Sequence, residues 1–193
     1  MVATEERVLL VIDVQSEYFL GGKLPIVGSE ASKNLRSLDR IIDLQRAFAA
    51  AGHRVVLVQH SFPANAGMFV AGTPAWEINS QILEGPYDLV IQKNIPDAFA
   101  RTNLWPELRK TLVDGAIVTI CGYQTHLCCQ ATAFSALSLG YQVEMARDAM
   151  ASPDITNDAG TASGPDLHNS ALVGLRQFNA VEVLFTGDII ELL

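Results

Sequence analysis

Asp13, Lys93 and Cys128 each stand just beyond a short apolar run. RVLLVI precedes Asp13, DLVIQ precedes Lys93, and AIVTIC with a Gly122-Tyr123-Gln124 bend precedes the segment that holds Cys128. Runs of this length and composition mark strands buried on both faces. In a parallel sheet the carboxyl ends of such strands share one edge, and open α/β sheets bind their ligands there. A carboxylate, an ammonium and a thiol gathered at that edge suit one kind of chemistry. The carboxylate takes the thiol proton and returns it to a leaving group. The sulfur attacks a carbonyl carbon. The ammonium holds the negative charges in place. Taken singly, each residue has an ordinary explanation: a loop aspartate, a solvated strand-end lysine, a buried cysteine. The three together point to a site.

The elements around Cys128 set how the thiol is presented. Thr125 is placed to cap a helix that carries Leu127, Cys128, Ala131 and Phe134 and ends near Gly140. Cys128 then falls in the first turn, where free N–H groups and positive potential favour the thiolate. Backbone N–H groups at the same place can form an oxyanion hole.

The other elements follow in chain order. Residues 30–51 show helical periodicity, with Leu35, Leu38, Ile41, Ile42, Gln45 and Phe48 on one broad face and Gly52 as the stop. RVVLVQ is a second buried strand ending at His60, which completes a βαβ unit. Residues 60–75 are rich in Pro, Gly and Ala and read as a long loop over the site edge. Phe62, Phe69 and Trp76 give that loop apolar content that either walls a pocket or anchors the loop. Short helices are expected at 76–83 and 104–113, a fifth strand at 141–145, a polar loop at 152–164 and a sixth strand at 181–185. A helix at 167–178 should face Leu172, Leu175 and Phe178 inward. The alternation predicts an α/β fold: a three-layer α/β/α domain over residues 1–193, Rossmann-like, with a six-stranded, mainly parallel sheet.

Composition narrows the partners. The chain has 193 residues, 49% of them hydrophobic, and a net charge of -8. That balance argues against nucleic acid or an anionic membrane as partner, since both need a basic patch. The longest apolar run is far short of the about 18 residues of a membrane span. The opening MVATEERVLL is acidic and unlike a signal peptide. Three cysteines without a framework spacing fit a reducing cytoplasm. There is no CxxC pair, no zinc-ligand spacing, and no GxGxxG after the first strand, where Asp13-Val14-Gln15 stands.

The motifs LLVIDVQ, IQKNIPDAFART and CGYQTHLCCQATAFSA together resemble the isochorismatase-like cysteine hydrolases, the superfamily that includes nicotinamidases and N-carbamoylsarcosine amidases. The resemblance covers nearly the whole chain and implies an Asp13-Lys93-Cys128 triad. The nucleophile is the cysteine three residues after the threonine, hence Cys128 and not Cys129. A cis peptide is implied at Tyr123–Gln124, turning the Gln124 N–H, with that of Cys128, towards the substrate oxygen. Gln15 would support the site by hydrogen bonding, with Tyr123 beside it. Phe19, His60, Phe62, Phe69, Trp76 and Phe99 would supply the pocket walls.

Metal-dependent nicotinamidases carry an Asp-x-His pair after the second strand. Matching His60 to that histidine puts Val58 where the carboxylate should be, so neither metal nor other cofactor is implied. His60 is left to contact substrate or to satisfy a loop carbonyl. His126 is expected off the active face, and His168 and the strand residue Cys121 are expected to be structural. The function implied is hydrolysis of an amide or carbamoyl C–N bond in a small neutral molecule through a Cys128 thioester, by a dimer or tetramer. Two alternatives are vinyl ether hydrolysis, which needs no cysteine, and a non-catalytic binding module on the same fold.

Overall fold

The structure, a computed structural model, describes residues 6–19, 21–26 and 36–193. The apolar runs become β1 (Arg7–Ile12), β2 (Arg54–His60), β3 (Leu89–Lys93), β4 (Ile117–Tyr123) and β5 (Gln142–Ala151). A short hairpin of β6 (Ile155–Asn157) and β7 (Gly160–Ala162) follows, then β8 (Val181–Leu184). The helices are α1 (Ser37–Ala50), α2 (Ser80–Leu83), α3 (Leu104–Leu108), α4 (Gln130–Ser138), α5 (Gly164–Leu175) and α6 (Thr186–Glu191).

Six strands form one parallel sheet in the order β3-β2-β1-β4-β5-β8. The chain winds outward in both directions from the β1–β4 pair, which makes that pair the point where strand order reverses and a crevice opens. Alternation along the strands divides the core. Val8, Leu10, Ile12, Val56, Val58, Val118 and Ile120 face the layer that contains Leu104, Leu108, Ala133, Ala136, Leu172 and Leu175 of α3, α4 and α5. Leu9, Val11, Val55, Leu57 and Cys121 face Ile41, Leu44 and Phe48 of α1 and Ile189 of α6. This is the three-layer α/β/α architecture that the alternating pattern predicts.

Close approach of β1 and β4 depends on Gly122. Its φ is +108°, and a Cβ there would lie 2.1 Å from Ile12 O. Only glycine lets the two strands end side by side, which brings Asp13 next to the Tyr123–Gln124 bend.

Several elements differ from expectation. Of the predicted helix over 30–51, residues 30–35 with Leu35 lie outside the described residues. The fifth strand runs on to Ala151, with a register shift between Ile120 and Gly122 of β4. The predicted 152–164 loop contains the β6–β7 hairpin. The helix expected at 76–83 shrinks to α2, with the Asn79 side chain accepting from the Gln81 N–H, and the one expected at 104–113 shrinks to α3. Helix α5 starts and stops three residues early because Ser163 caps it, accepting from Asp166 N at 3.2 Å, with Pro165 in the first turn. Phe178 therefore lies beyond the helix and is 47% exposed, edge-on to the also exposed Phe134 at 5.8 Å. Among the described residues, no helix is long and apolar enough to cross a membrane.

Candidate active site

Register decides which side chains meet at the crevice. His60 pairs with Lys93 across β2 and β3, so both side chains stand on the sheet face that also carries Ile12 and Val58. Strand β2 separates β3 from β1. Lys93 must therefore reach across a whole strand to Asp13, over neighbours spaced about 4.8 Å apart, which a four-carbon stem can do. Its Nζ arrives 2.6 Å from Asp13 Oδ2, 2.8 Å from His60 Nδ1 and 3.2 Å from Cys128 Sγ. The side chains of Asp13 and Lys93 are 0% exposed. Asp13 itself is held in the left-handed region, φ +52°, with its N–H on Val58 O at 2.9 Å. A non-glycine residue in that region is uncommon, and such strain gathers at functional sites.

The turn that carries Cys128 is wider and more tethered than its sequence implies. Residues Thr125–Cys129 form a π-type turn ahead of α4, a device frequent at functional sites. The N–H groups of Leu127 and Cys129 both return to Gln124 O, at 3.2 and 3.1 Å. Thr125 does not cap a helix. Its Oγ1 instead pairs with His168 Nδ1 of α5 at 2.8 Å. His126 Nδ1 pairs with Ser152 Oγ, also at 2.8 Å. His126 and His168 thus tie the turn to the segment after β5. The Tyr123–Gln124 peptide is cis.

Burial dominates the electrostatics. It pushes the Cys128 thiol up, the neighbouring Asp13 charge adds to this, and Lys93 offsets only part. Burial and the Asp13 charge thus act against the thiolate that a helix N-terminus favours. Burial also raises Asp13, against the pull of Lys93. For Lys93, burial acts downward, but Asp13 and the Cys128 sulfur more than compensate and hold it charged. Burial and the Lys93 charge lower His60 to about 3, so its imidazole is neutral. The site at rest holds a thiol, an ammonium, a neutral imidazole and a carboxyl group made more basic than usual. A raised carboxylate is the better proton acceptor near neutral pH. Its second oxygen, Oδ1, is buried without a hydrogen-bond partner.

The donor set does not fit a resident metal. Ligand atoms of Asp13, His60 and Cys128 lie within 4.8 Å of one another, but the Lys93 ammonium contacts all three and already supplies the positive charge at their centre. Val58, two residues before His60, offers no ligand atom and is packed in the core.

Other expected site residues divide into two groups. Phe62 and Phe69 surround His60, with ring centroids 4.2 and 5.5 Å from its imidazole. Gln15 supports the site by hydrogen bonding to backbone: its amide receives His60 N (2.8 Å) and donates to His60 O (2.9 Å) and Trp76 O (2.6 Å). It clamps the end of β2 and the following loop onto β1. Trp76 anchors that loop, with Nε1 on Ser61 Oγ at 2.8 Å. Phe99 stacks on Tyr141 at 6.5 Å. Tyr141 precedes β5, at the sheet edge opposite Cys128, so Phe99 belongs to the core. The fully buried Tyr123 is pinned by Ser37 Oγ of α1 at 2.9 Å, and Phe19 packs against its ring at 6.3 Å. Phe99 differs from expectation because its position after a strand does not fix which way its ring turns.

Tyr18 carries no chemical signal in the sequence that would place it at the site. It is buried beside the crevice, 5.3 Å from both Phe69 and Tyr123 in ring centroids. Burial, first of all, pushes its hydroxyl up, with the Asp13 charge acting the same way, and the Gln124 side chain hydrogen-bonds to it. A cavity of about 410 Å³ lies beside the Cys128 turn, lined by Ile26, Arg147, Met150, Ser152, Gly164 and His168 among others. None of Asp13, Lys93 and Cys128 borders it.

Comparison with known proteins bears directly on this arrangement. Residues 7–183 match the isochorismatase domain model. The secreted isochorismatase effector Isc1 of Verticillium dahliae is 35% identical over 153 residues, covering 79% of this chain and 76% of its own. Streptothricin hydrolase of Streptomyces noursei is 32% identical over 190 residues, which is 96% of this chain but only 61% of that enzyme. A crystal structure of a Burkholderia xenovorans LB400 protein assigned to the isochorismatases superposes with a TM-score of 0.87 at 35% identity, covering 97% of this chain and 87% of that one. The fold, the family model and the relatives agree, and the chain belongs to the isochorismatase-like hydrolase family.

Proposed function

We propose that this protein is a metal-independent cysteine hydrolase that cleaves an amide or carbamoyl C–N bond in a small molecule, with residues 1–193 acting as one domain. The observation that carries the reading is Lys93 Nζ lying 2.6 Å from Asp13 and 3.2 Å from Cys128 in a buried cluster. The proton on Cys128 passes to Asp13, whose Oδ1 has no other partner, as the sulfur bonds to the carbonyl carbon. The carbonyl oxygen becomes an oxyanion received by the backbone N–H groups of Gln124 and Cys128, each such donor being worth about 3–4 kcal/mol. The C–N bond then breaks, and the amine leaves with the proton from Asp13. Water, deprotonated by Asp13, attacks the thioester and releases the acid and the thiol. A vinyl ether substrate would leave the Lys93–Cys128 contact without a task, and a binding module would not require a buried base beside a thiol.

Three buried free cysteines suit a reducing cytoplasm. The exposed, edge-on Phe134–Phe178 pair is apolar surface that a second copy would cover in a homo-oligomer. Light scattering that returns a monomer removes that part of the reading. The main test is ammonia release from a panel of small amides, ureides and carbamoyl compounds, with Cys128→Ala as control. Turnover lost in the control is expected. Turnover that survives it, or none with any compound, refutes the proposal.

A further inference from the structure

The cavity of about 410 Å³ beside the Cys128 turn has no task in the proposed reaction, since Asp13, Lys93 and Cys128 lie outside its wall. It nonetheless has the make-up of a small-molecule pocket, a mostly apolar wall with a few polar groups. Leu24, Ile26, Met150 and Pro153 supply apolar surface. Two cations, Lys23 and Arg147, stand in the lining against one carboxylate, Asp154. That makes a positive spot on a chain of net charge -8. Asp154 is already engaged, its Oδ1 accepting the Gly164 N–H at 2.7 Å. Among the described residues no carboxylate pairs with the Arg147 guanidinium, which lies over the Phe185 ring at 4.9 Å. The neighbouring Asp148 turns instead to Arg40 at 3.6 Å and to Thr186 at 2.7 and 2.8 Å. A guanidinium offers a planar fork of donors that matches a carboxylate. Lys23 donates to Gly67 O, and an ammonium with one such bond keeps two further N–H groups. Helix α5 begins at this cavity, but the Gly164 and Asp166 N–H groups are taken by Asp154 and Ser163. Anion recognition therefore falls to the side chains.

We infer that this cavity is a second binding site, separate from the triad, for a small molecule that joins an apolar body to a single carboxylate, with Arg147 holding the carboxylate. Position gives the site a link to the nucleophile. His168 and Ser152 line the cavity, and they are the partners of Thr125 and His126 in the Cys128 turn. The occupant and the turn thus share two side chains without sharing a space. Arg147 also acts on His168, which burial first and then the Arg147 charge lower. A carboxylate seated on Arg147 offsets that charge and raises His168 again, so the imidazole reports occupancy. The inference does not depend on which bond the hydrolase cleaves.

The probes are 3-phenylpropionate, 3-phenylpropan-1-ol and 3-phenylpropylamine, which share one apolar body and differ in head group. Calorimetry on the full unsubstituted chain should give the carboxylate one site. Its affinity should exceed that of the alcohol by about tenfold or more, the worth of a hydrogen bond to a charged group, and the amine should bind weakest. Arg147→Gln, at an exposed position outside the core, should bring the carboxylate down to the affinity of the alcohol. Arg147→Lys, which keeps the charge but not the fork, should restore part of the difference. Equal binding of the three probes, binding of none, or a carboxylate preference that survives Arg147→Gln overturns the inference. Histidine-ring NMR titration of the unsubstituted chain locates the site without relying on any variant's folding. The His168 pKa should rise on saturation with 3-phenylpropionate, and a His168 that does not move overturns the inference as well. Ammonia release from the amide panel reports the hydrolase reading separately, so either conclusion can fail alone.

Discussion

Replacing Lys93 with methionine removes the ammonium while keeping the stem, and leaves Asp13 alone in a dry site. Both side chains are 0% exposed and 2.6 Å apart. Breaking a buried pair from one side costs about 3–5 kcal/mol. At about 2–4 °C per kcal/mol for a chain of this size, Lys93→Met should lower Tm by about 6–20 °C. Asp13→Asn suits the left-handed backbone at that position, since asparagine tolerates positive φ, but it strands the ammonium instead. The double variant removes both charges and should recover most of the loss, giving a coupling of about 2–3 kcal/mol in a denaturation cycle. The pH dependence has a defined sign. In Lys93→Met the Asp13 carboxyl, already raised by burial, loses the neighbour that lowers it. A carboxyl with a folded-state value above its unfolded one binds its proton more tightly when folded. The deficit is therefore full above the folded-state value and vanishes below the unfolded value of about 3.9. The gap between variant and parent should close as pH falls. Single effects that add within about 0.5 kcal/mol, or a gap that widens in acid, would refute the buried-pair account.

Two further outcomes follow from the same geometry. Gly122→Ala places a Cβ 2.1 Å from Ile12 O at φ +108°. A left-handed penalty of about 1–2 kcal/mol and about 1–3 kcal/mol of overpacking should lower Tm by several degrees, and a displacement of Asp13 by about 1 Å would cost about a hundredfold in rate; an unchanged melt and rate would contradict the close approach. In pH–rate profiles of the active enzyme, the acid limb of kcat/KM should lie above the ordinary carboxylate range, because Asp13 is raised and must be ionised to act. His60 titrates near 3, so a limb that moves in His60→Asn but not with Asp13 substitutions would assign the base wrongly.

Much of the architecture is legible in residue order, because burial on both faces writes itself as unbroken apolar runs and helices write themselves as a 3.6 period. RVLLVI, RVVLVQ and AIVTIC name three neighbouring strands of the sheet, and the residues after the first and third reach the crevice. Glycine at 122 and the Tyr123–Gln124 bend stand out in the same way. Tertiary structure decided the rest. Strand order was not available from local pattern, and that order puts β2 between Lys93 and Asp13 so that His60 becomes the third partner of the ammonium. The core opposes the thiolate that the helix end favours, because a helix-end argument is local while desolvation by a complete core is not. Phe99, an expected pocket wall, packs in the core, and Tyr18 lies at the crevice, because side-chain direction depends on what packs on either side. The residue types needed for the chemistry are written along the chain, but their distances, protonation and facing directions come from long-range packing that no short window of sequence contains.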